Sequence, residues 1–401
     1  MPKLLSLPEI LTAGFLCAVT GPALAAPCET GNFSSWLDGV RQEAAEQGVS
    51  RAAIRSGLSG VGYDKRVISR DRRQGVFSDS FLTFSDKLIS KNRRQHGAAR
   101  IKKYARTFQQ IENQYGVPAP VLTAFWGLET DFGAFQGDFK TIQSLATLAY
   151  DCRRPDLFRP QLIAALKLID RGDLSASEMV GAWAGEIGQL QFLPGDYLES
   201  AVDFDGDGRR DLRKSAPDAL ASAANVIAKS GWRAGEPWLE EVRVPQSMPW
   251  EQADIAIQQP RSQWAKWGVR RADGGKLKAD GMQTSLLLPM GRNGPAFLAY
   301  PNFQVYLQWN ESLVYTTTAA YFATRLAGAP PVSRGNAPDT LNAAQSKELQ
   351  KLLVRLGHDV GKIDGIIGAK TRAAVKAMQI KYGMPADSYP TAELLRRLRQ
   401  G

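Results

Sequence analysis

Apolar residues in the first part of the chain recur at helical spacing, with charge scattered over the polar faces between them. SSWLDGVRQEAAEQG reads as a capped amphipathic helix ending at Gly48. SDSFLTFSDKLISKNRRQHGAARIKKYARTFQQIENQYG follows as one long helix or two broken ones, its basic run forming a solvated face. Beyond Pro118 the helical pattern continues through VLTAFWGLETDFG, TIQSLATLAY and LFRPQLIAALKLIDRGD. Residues 238–300 change character: proline, glycine and alternating patches such as TSLLLPMG predict loops with a few short strands. Helix resumes at NESLVYTTTAAYFATRLAG. APPVSRGNAPD, with three prolines and no periodicity, is a linker. Three more helical patterns, NAAQSKELQKLLVRLG, AKTRAAVKAMQIKYG and TAELLRRLRQ, surround the turn-rich HDVGKIDGIIG. The expected architecture is mainly α with a minor β/loop region: a large domain over 26–328, a linker over 329–340, and a small three-helix module over 341–401.

Residues 1–25 stand apart. Lys3, the apolar ILTAGFLCAV and the small-residue site Ala23–Ala25 read as a secretory signal peptide, which implies export to the periplasm. No other segment approaches the roughly 18 uninterrupted apolar residues of a membrane span. Cleavage removes Lys3 and Glu9 together, so the net charge of +10 is kept and suggests an anionic partner such as a cell wall or membrane surface. Residues 341–401 hold 11 Lys/Arg against 5 Asp/Glu, a net +6. Export and the lack of any nucleic-acid-binding motif argue against nucleic acid. Two of the three cysteines, Cys28 and Cys152, survive cleavage, and an oxidising compartment favours their pairing. A lipid anchor on Cys28 is the rival reading, against which Pro27 speaks.

Within FWGLETDFGAF, Glu129 lies one helical turn from Phe125 and two from Leu122, on their apolar face. A carboxyl there is either a capping or salt-bridging group, or an acid whose apolar surroundings hold its proton near neutral pH. GAWAGEIGQLQFLPGDY combines four glycines, two glutamines and aromatic rings, the makings of a sugar-lined groove or of tight helix–turn packing. DFDGDGRRDL sets Asp203, Asp205, Asp207 and Asp211 at positions 1, 3, 5 and 9 of a calcium loop, with Gly208 at position 6 and Arg209 where a backbone carbonyl serves. Lys214 holds position 12, so Asp218 is the next available carboxylate. The expected cation is a structural Ca²⁺; no cofactor is required for the chemistry. His96 and His358 lack partners for a zinc site or a catalytic triad.

GLETDFG, WAGEIGQLQFLPGDY, DFDGDGRRDL and NFQVYLQWNESLVY, in that order over roughly residues 30–330, resemble the lytic murein transglycosylase B family. The resemblance implies a lysozyme-like helical fold that cleaves peptidoglycan glycan strands. It makes Glu129 the acid/base, places Gly188, Gln189, Gln191 and Tyr197 in the substrate-groove motif, and matches Asn310 and Tyr315 to later site residues. It also suggests a lengthened cation loop that uses Asp218. Ala182, Glu186 and Trp309 depart from the family pattern, which bears on saccharide preference. LQKLLVRLGHDVGKIDGIIGAKTRAAVKAMQIKYGM is similar to the peptidoglycan-binding domain family, with Leu352, Leu356 and Val375 as core positions.

Ordinary glycosidases use two carboxylates roughly 5–9.5 Å apart. One suffices if the N-acetyl group of muramic acid stabilises C1 and its own C6 hydroxyl attacks there, giving a 1,6-anhydro end. The alternatives are a hydrolase with Glu186 as second carboxylate, for which an exposed, incidental Glu186 is the plainer account, and an inactive wall-binding scaffold. Wall-synthesis or hydrolase complexes are further expected partners.

Overall fold

Proline and glycine bracket the helices of this chain where the helix-end rules place them. The helix Pro155–Arg171 opens on Pro155 and ends at Gly172, whose φ of 81° is left-handed. Ala119–Thr130 follows Pro118. Asn32 caps Phe33–Glu46 by accepting from the Ser34 amide. The computed structural model describes residues 31–73 and 79–400; the signal segment and Cys28 lie outside them. Among the described residues there are seventeen α-helices and seven short strands. None of these helices is long and apolar enough to cross a membrane.

The chain divides into two compact units. The first comprises residues 1–74 and 104–229 and, where described, is almost wholly helical. At its centre lies Ala119–Thr130, with nine buried residues covering its whole circumference, as expected of a helix apolar all round. Two-residue strands Phe139–Lys140 and Val180–Gly181 pair antiparallel and hold the loops beside that helix's C-terminal end.

The second unit comprises residues 75–103 and 230–401. Its basic segment forms Phe81–Leu88 and Lys91–Lys103, and with Ala105–Tyr115 of the first unit the stretch expected as one long helix or two broken ones is three helices. Arg93 leaves the solvated face, buried while it donates to the Leu88 carbonyl at 2.7 Å. Residues 238–300, expected as loops with a few strands, form a five-stranded antiparallel sheet. Its order is Gln259–Pro260, Gln283–Leu287, Ala296–Ala299, Leu239–Arg243, Arg270–Arg271. Trp250, Trp264, Leu286 and Leu298 form the core on this sheet.

Residues 343–400 fold as three helices, Ala343–Arg355, Ala369–Lys381 and Ala392–Gln400, around Leu349, Leu353, Val375 and Leu394. The side-chain amide of buried Gln350 accepts from Gly365 N at 2.8 Å and donates to the Ile366 carbonyl at 2.9 Å, fixing the turn between the first two helices. Val375 is core and Leu352 half-buried, but Leu356 is 44% exposed. It caps a helix that ends at Arg355, and Gly357 then turns the chain away from the buried face.

This module packs on the sheet region. Arg372 donates to the Leu288 carbonyl at 2.8 Å, Lys376 pairs with Asp254, and Asp387 accepts from Arg292 N at 2.9 Å. The stretch before it is laid against the same unit. Ser333 N donates to Glu241 at 2.7 Å and Asn336 N to the Asn293 carbonyl at 2.7 Å.

Candidate active site

Glu129 occupies the last turn of its helix, half-buried, next to fully buried Leu122 and Phe125. The helix stops abruptly after it. Asp131, Phe132 and Gly133 have φ of 50°, 63° and 85°. For Phe132, a bulky residue, this is an outlier that the surroundings must hold in place. They do so through Phe132 N donating to the Trp126 carbonyl at 3.1 Å, and through the buried ring's edge contact with Trp126.

Thr130, not singled out by its sequence context, ties this helix end to the groove motif. Its hydroxyl donates to the Gln189 carbonyl at 2.6 Å and accepts from Gly133 N at 2.8 Å. The motif itself makes a tight turn in which Ile187 and Phe192 bridge. Gly188 must be glycine there: φ is 83°, and a Cβ would lie 2.6 Å from the Leu212 carbonyl oxygen. Gln191, also left-handed at φ 52°, donates to the Gly188 carbonyl at 2.8 Å.

Gln189 and Tyr197, expected to touch substrate, are buried with their polar groups engaged inside the protein. Gln189 Oε1 accepts from Trp126 Nε1 at 3.0 Å, and Nε2 donates to the Arg213 carbonyl at 3.1 Å. Tyr197 donates to the Arg210 carbonyl and accepts from Leu212 N at 3.3 Å. Both brace the turn from behind. Glu186, read as an exposed residue, is only 3% exposed. Its carbonyl accepts from Ala182 N at 2.9 Å and packs against Gly181, so the loop folds back on itself and draws the side chain inward. Asn310 and Tyr315 belong to the second unit, both buried. Asn310 ends the helix Pro301–Trp309, and its side chain accepts from Ser312 N at 2.9 Å.

The acidic loop gathers a different set from the one its spacing suggested. Carboxylate oxygens of Asp203, Asp205 and Asp218 lie within 4.8 Å of one another. Asp207 and Asp211 lie outside this group, accepting from Arg209 N at 2.8 Å and from Lys214 N at 2.9 Å, and Asp203 and Asp218 hold loop backbone as well, accepting from Gly208 N and Asp211 N at 2.9 Å each. Burial raises the Asp218 carboxyl above its ordinary range, and the Asp205 charge adds to this. Three crowded carboxylates, one of them desolvated, are a hard-oxygen donor set that fits a calcium-like cation. The loop's far end supports the groove: Leu212 O accepts from Gln189 N at 2.8 Å, and Arg213 O from Gln136 at 3.0 Å. Cys152 is disulfide-bonded; Cys28, its expected partner, lies outside the described residues.

Comparison with known proteins decides the family. Residues 32–324 match the sequence profile described as the transglycosylase SLT domain, and residues 342–398 that of the putative peptidoglycan-binding domain. The chain belongs to the transglycosylase SLT family. SltB3 from Pseudomonas aeruginosa, solved in complex with NAG-anhNAM-pentapeptide, is 42% identical, with a TM-score of 0.86 over 92% of this chain and 99% of that one. SltB1 from the same organism, a soluble lytic transglycosylase, is 25% identical with a TM-score of 0.65, covering 73% and 98%. Membrane-bound lytic murein transglycosylase B of Escherichia coli K12 is 30% identical over 158 residues, which are 39% of this SLT-family chain and 44% of that protein's length. Slt35 of Escherichia coli, solved in complex with calcium, shares the fold at 24% identity and a TM-score of 0.64.

Proposed function

We propose that this SLT-family protein is a lytic transglycosylase that cleaves the MurNAc–GlcNAc β-1,4 bond of peptidoglycan and leaves 1,6-anhydroMurNAc ends. The observation that carries the reading is Glu129, a half-buried glutamic acid in the last turn of a helix whose neighbouring residues, Leu122 and Phe125 among them, are buried. Its protonated carboxyl donates to the bridging oxygen as the C1–O4 bond breaks. The substrate's own N-acetyl oxygen stabilises the positive charge at C1. The C6 oxygen then bonds to C1 from within the same sugar and returns its proton to the Glu129 carboxylate, leaving the acid as it began. Attack from within the ring avoids most of the entropy of recruiting a second reactant.

The family assignments and the SltB3 likeness support peptidoglycan as substrate, and an exported, wall-associated enzyme is consistent with both. We assign Asp203, Asp205 and Asp218 to a structural Ca²⁺, with no part in bond cleavage.

Mass spectrometry of soluble muropeptides released from sacculi tests the reaction. Products one water lighter than hydrolysis products, present with wild type and absent with Glu129→Gln, are expected. Ordinary reducing ends would make the protein a hydrolase and direct attention to Glu186; no products at all would leave a wall-binding scaffold.

A further inference from the structure

Phe135 is 59% exposed, the most exposed of the large hydrophobic side chains among the described residues. It lies in the loop that follows the Glu129 helix. That loop is fastened on both sides of it. Phe135 N donates to the Thr130 carbonyl at 2.9 Å, one residue from the acid. Gly133 sits so close to Gln189 that a Cβ would lie 2.6 Å from its Oε1, and Gly137 so close to Gly181 that a Cβ would lie 2.2 Å from its carbonyl oxygen. Gln136 adds bonds to the carbonyls of Gly133 and Arg213, and its own carbonyl accepts from Gln191 at 3.4 Å.

A ring with most of its surface in water gains little for folding. A ring held there by a pinned backbone has little freedom left to lose when something covers it. Its neighbours on either side, the acid's helix end and the Gly188–Gln191 turn, belong to the site described above, so the occupant is the substrate rather than a separate partner. The apolar C–H face of a pyranose is the part of a glycan that an exposed aromatic ring covers.

On the transglycosylase reading, we infer that Phe135 is a substrate-positioning residue, a platform on which a sugar of the glycan strand stacks in the subsite adjacent to the scissile bond. It takes no part in proton transfer. It holds the strand in register so that the bridging oxygen stays with Glu129.

The test compares binding and turnover. Calorimetric titration with a tetrasaccharide of alternating GlcNAc and MurNAc is run on Glu129→Gln and on Glu129→Gln/Phe135→Ala. Loss of the ring is expected to weaken binding about five- to twentyfold, from stacking plus the covered area. In the active background, Phe135→Ala is expected to raise KM on soluble glycan by a similar factor with a smaller change in kcat. Phe135→Tyr restores it, and the Tm of both variants stays at the wild-type value. Equal tetrasaccharide affinity with and without the ring, or no measurable affinity in either protein, overturns the inference. So does a loss that Tyr fails to rescue. If wild type produces no anhydro ends, the reaction assignment fails, but the two affinities still decide the role of Phe135.

Discussion

Gly181 offers the sharpest test of how the groove loop is built. It pairs with Phe139 across the short strands and faces the backbone of Glu186. A Cβ at this position would lie 1.8 Å from the Glu186 carbonyl oxygen, where real Cβ atoms essentially never come within 3.0 Å of such a neighbour. The obstacle is backbone, so no side-chain rotation relieves it, and the loop or the strand must move by about 1.2 Å. That movement disrupts the Ala182–Glu186 hydrogen bond of 2.9 Å and travels into the Gly188–Gln191 turn. Overpacking of this kind costs about 1–3 kcal/mol, and a misplacement of about 1 Å in a site costs about 10²-fold in rate. Gly181→Ala is therefore expected to lower the Tm and to reduce the initial rate of anhydro-muropeptide release from sacculi by about two orders of magnitude. Gly39→Ala is the control: nothing lies within 4 Å of its would-be Cβ, and the site is an exposed helix position, where alanine stabilises by about 0.5–1 kcal/mol. A Gly181→Ala protein with wild-type Tm and rate would refute this account of the loop.

Other variants test the supports behind the groove. Gln189→Leu strands the buried Trp126 Nε1–H and removes one of the two donors to the Arg213 carbonyl, leaving Gln136 as the other, with an expected loss of about 1–3 kcal/mol in chemical denaturation; an unchanged midpoint would contradict the bracing role. Burial, reinforced by Glu199, raises Asp196 from 3.8 to about 6. The folded protein thus holds this proton more tightly than the unfolded chain, and the associated stability is complete below pH 3.8 and lost as pH rises through about 6. Asp196→Asn should match wild type at about pH 3.5 and exceed it at about pH 7.5 by up to about 3 kcal/mol, at about 1.36 kcal/mol per tenfold; a gain of the same size at both pH values would rule this out. Calcium at about a hundred times its dissociation constant should stabilise wild type by about 2.7 kcal/mol relative to chelator. Asp218→Asn should abolish that response, and melting curves of wild type that coincide with and without calcium would remove the cation from the loop.

Local chemistry made parts of this molecule readable from sequence. Apolar spacing around Glu129 predicts a buried helix, and the helix is there, because one continuous segment supplies both the acid and its apolar neighbours. The five-stranded sheet was harder to read, since Leu239–Arg243 pairs with Ala296–Ala299 more than fifty residues away and each strand is too short to show its own period. Side-chain type misled for Gln189 and Tyr197: an amide and a phenol suit a sugar, but they suit buried backbone equally well, and only tertiary contacts separate the two. The cation loop shows the same limit. Spacing alone gave Asp207 and Asp211 the same standing as Asp203, but the fold of the loop brings Asp203 and Asp205 together with Asp218 from the next helix and leaves the other two outside that group. Thr130 carries no sequence signal, because its importance lies in the carbonyl that its hydroxyl reaches.

The contacts beneath the C-terminal module bear on how such proteins are assembled from parts. A wall-binding module on a slack leash is interchangeable, since any homologue of similar affinity would serve. Here Arg372 and Lys376 are spent on Leu288 and Asp254, and Arg292 N meets Asp387. A transplanted module lacking those groups could keep its own fold and still hang loose, leaving Asp254 without its counter-charge. A module exchanged at residues 329–340 would therefore dock in the same way only if it carried groups equivalent to Arg372, Lys376 and Asp387.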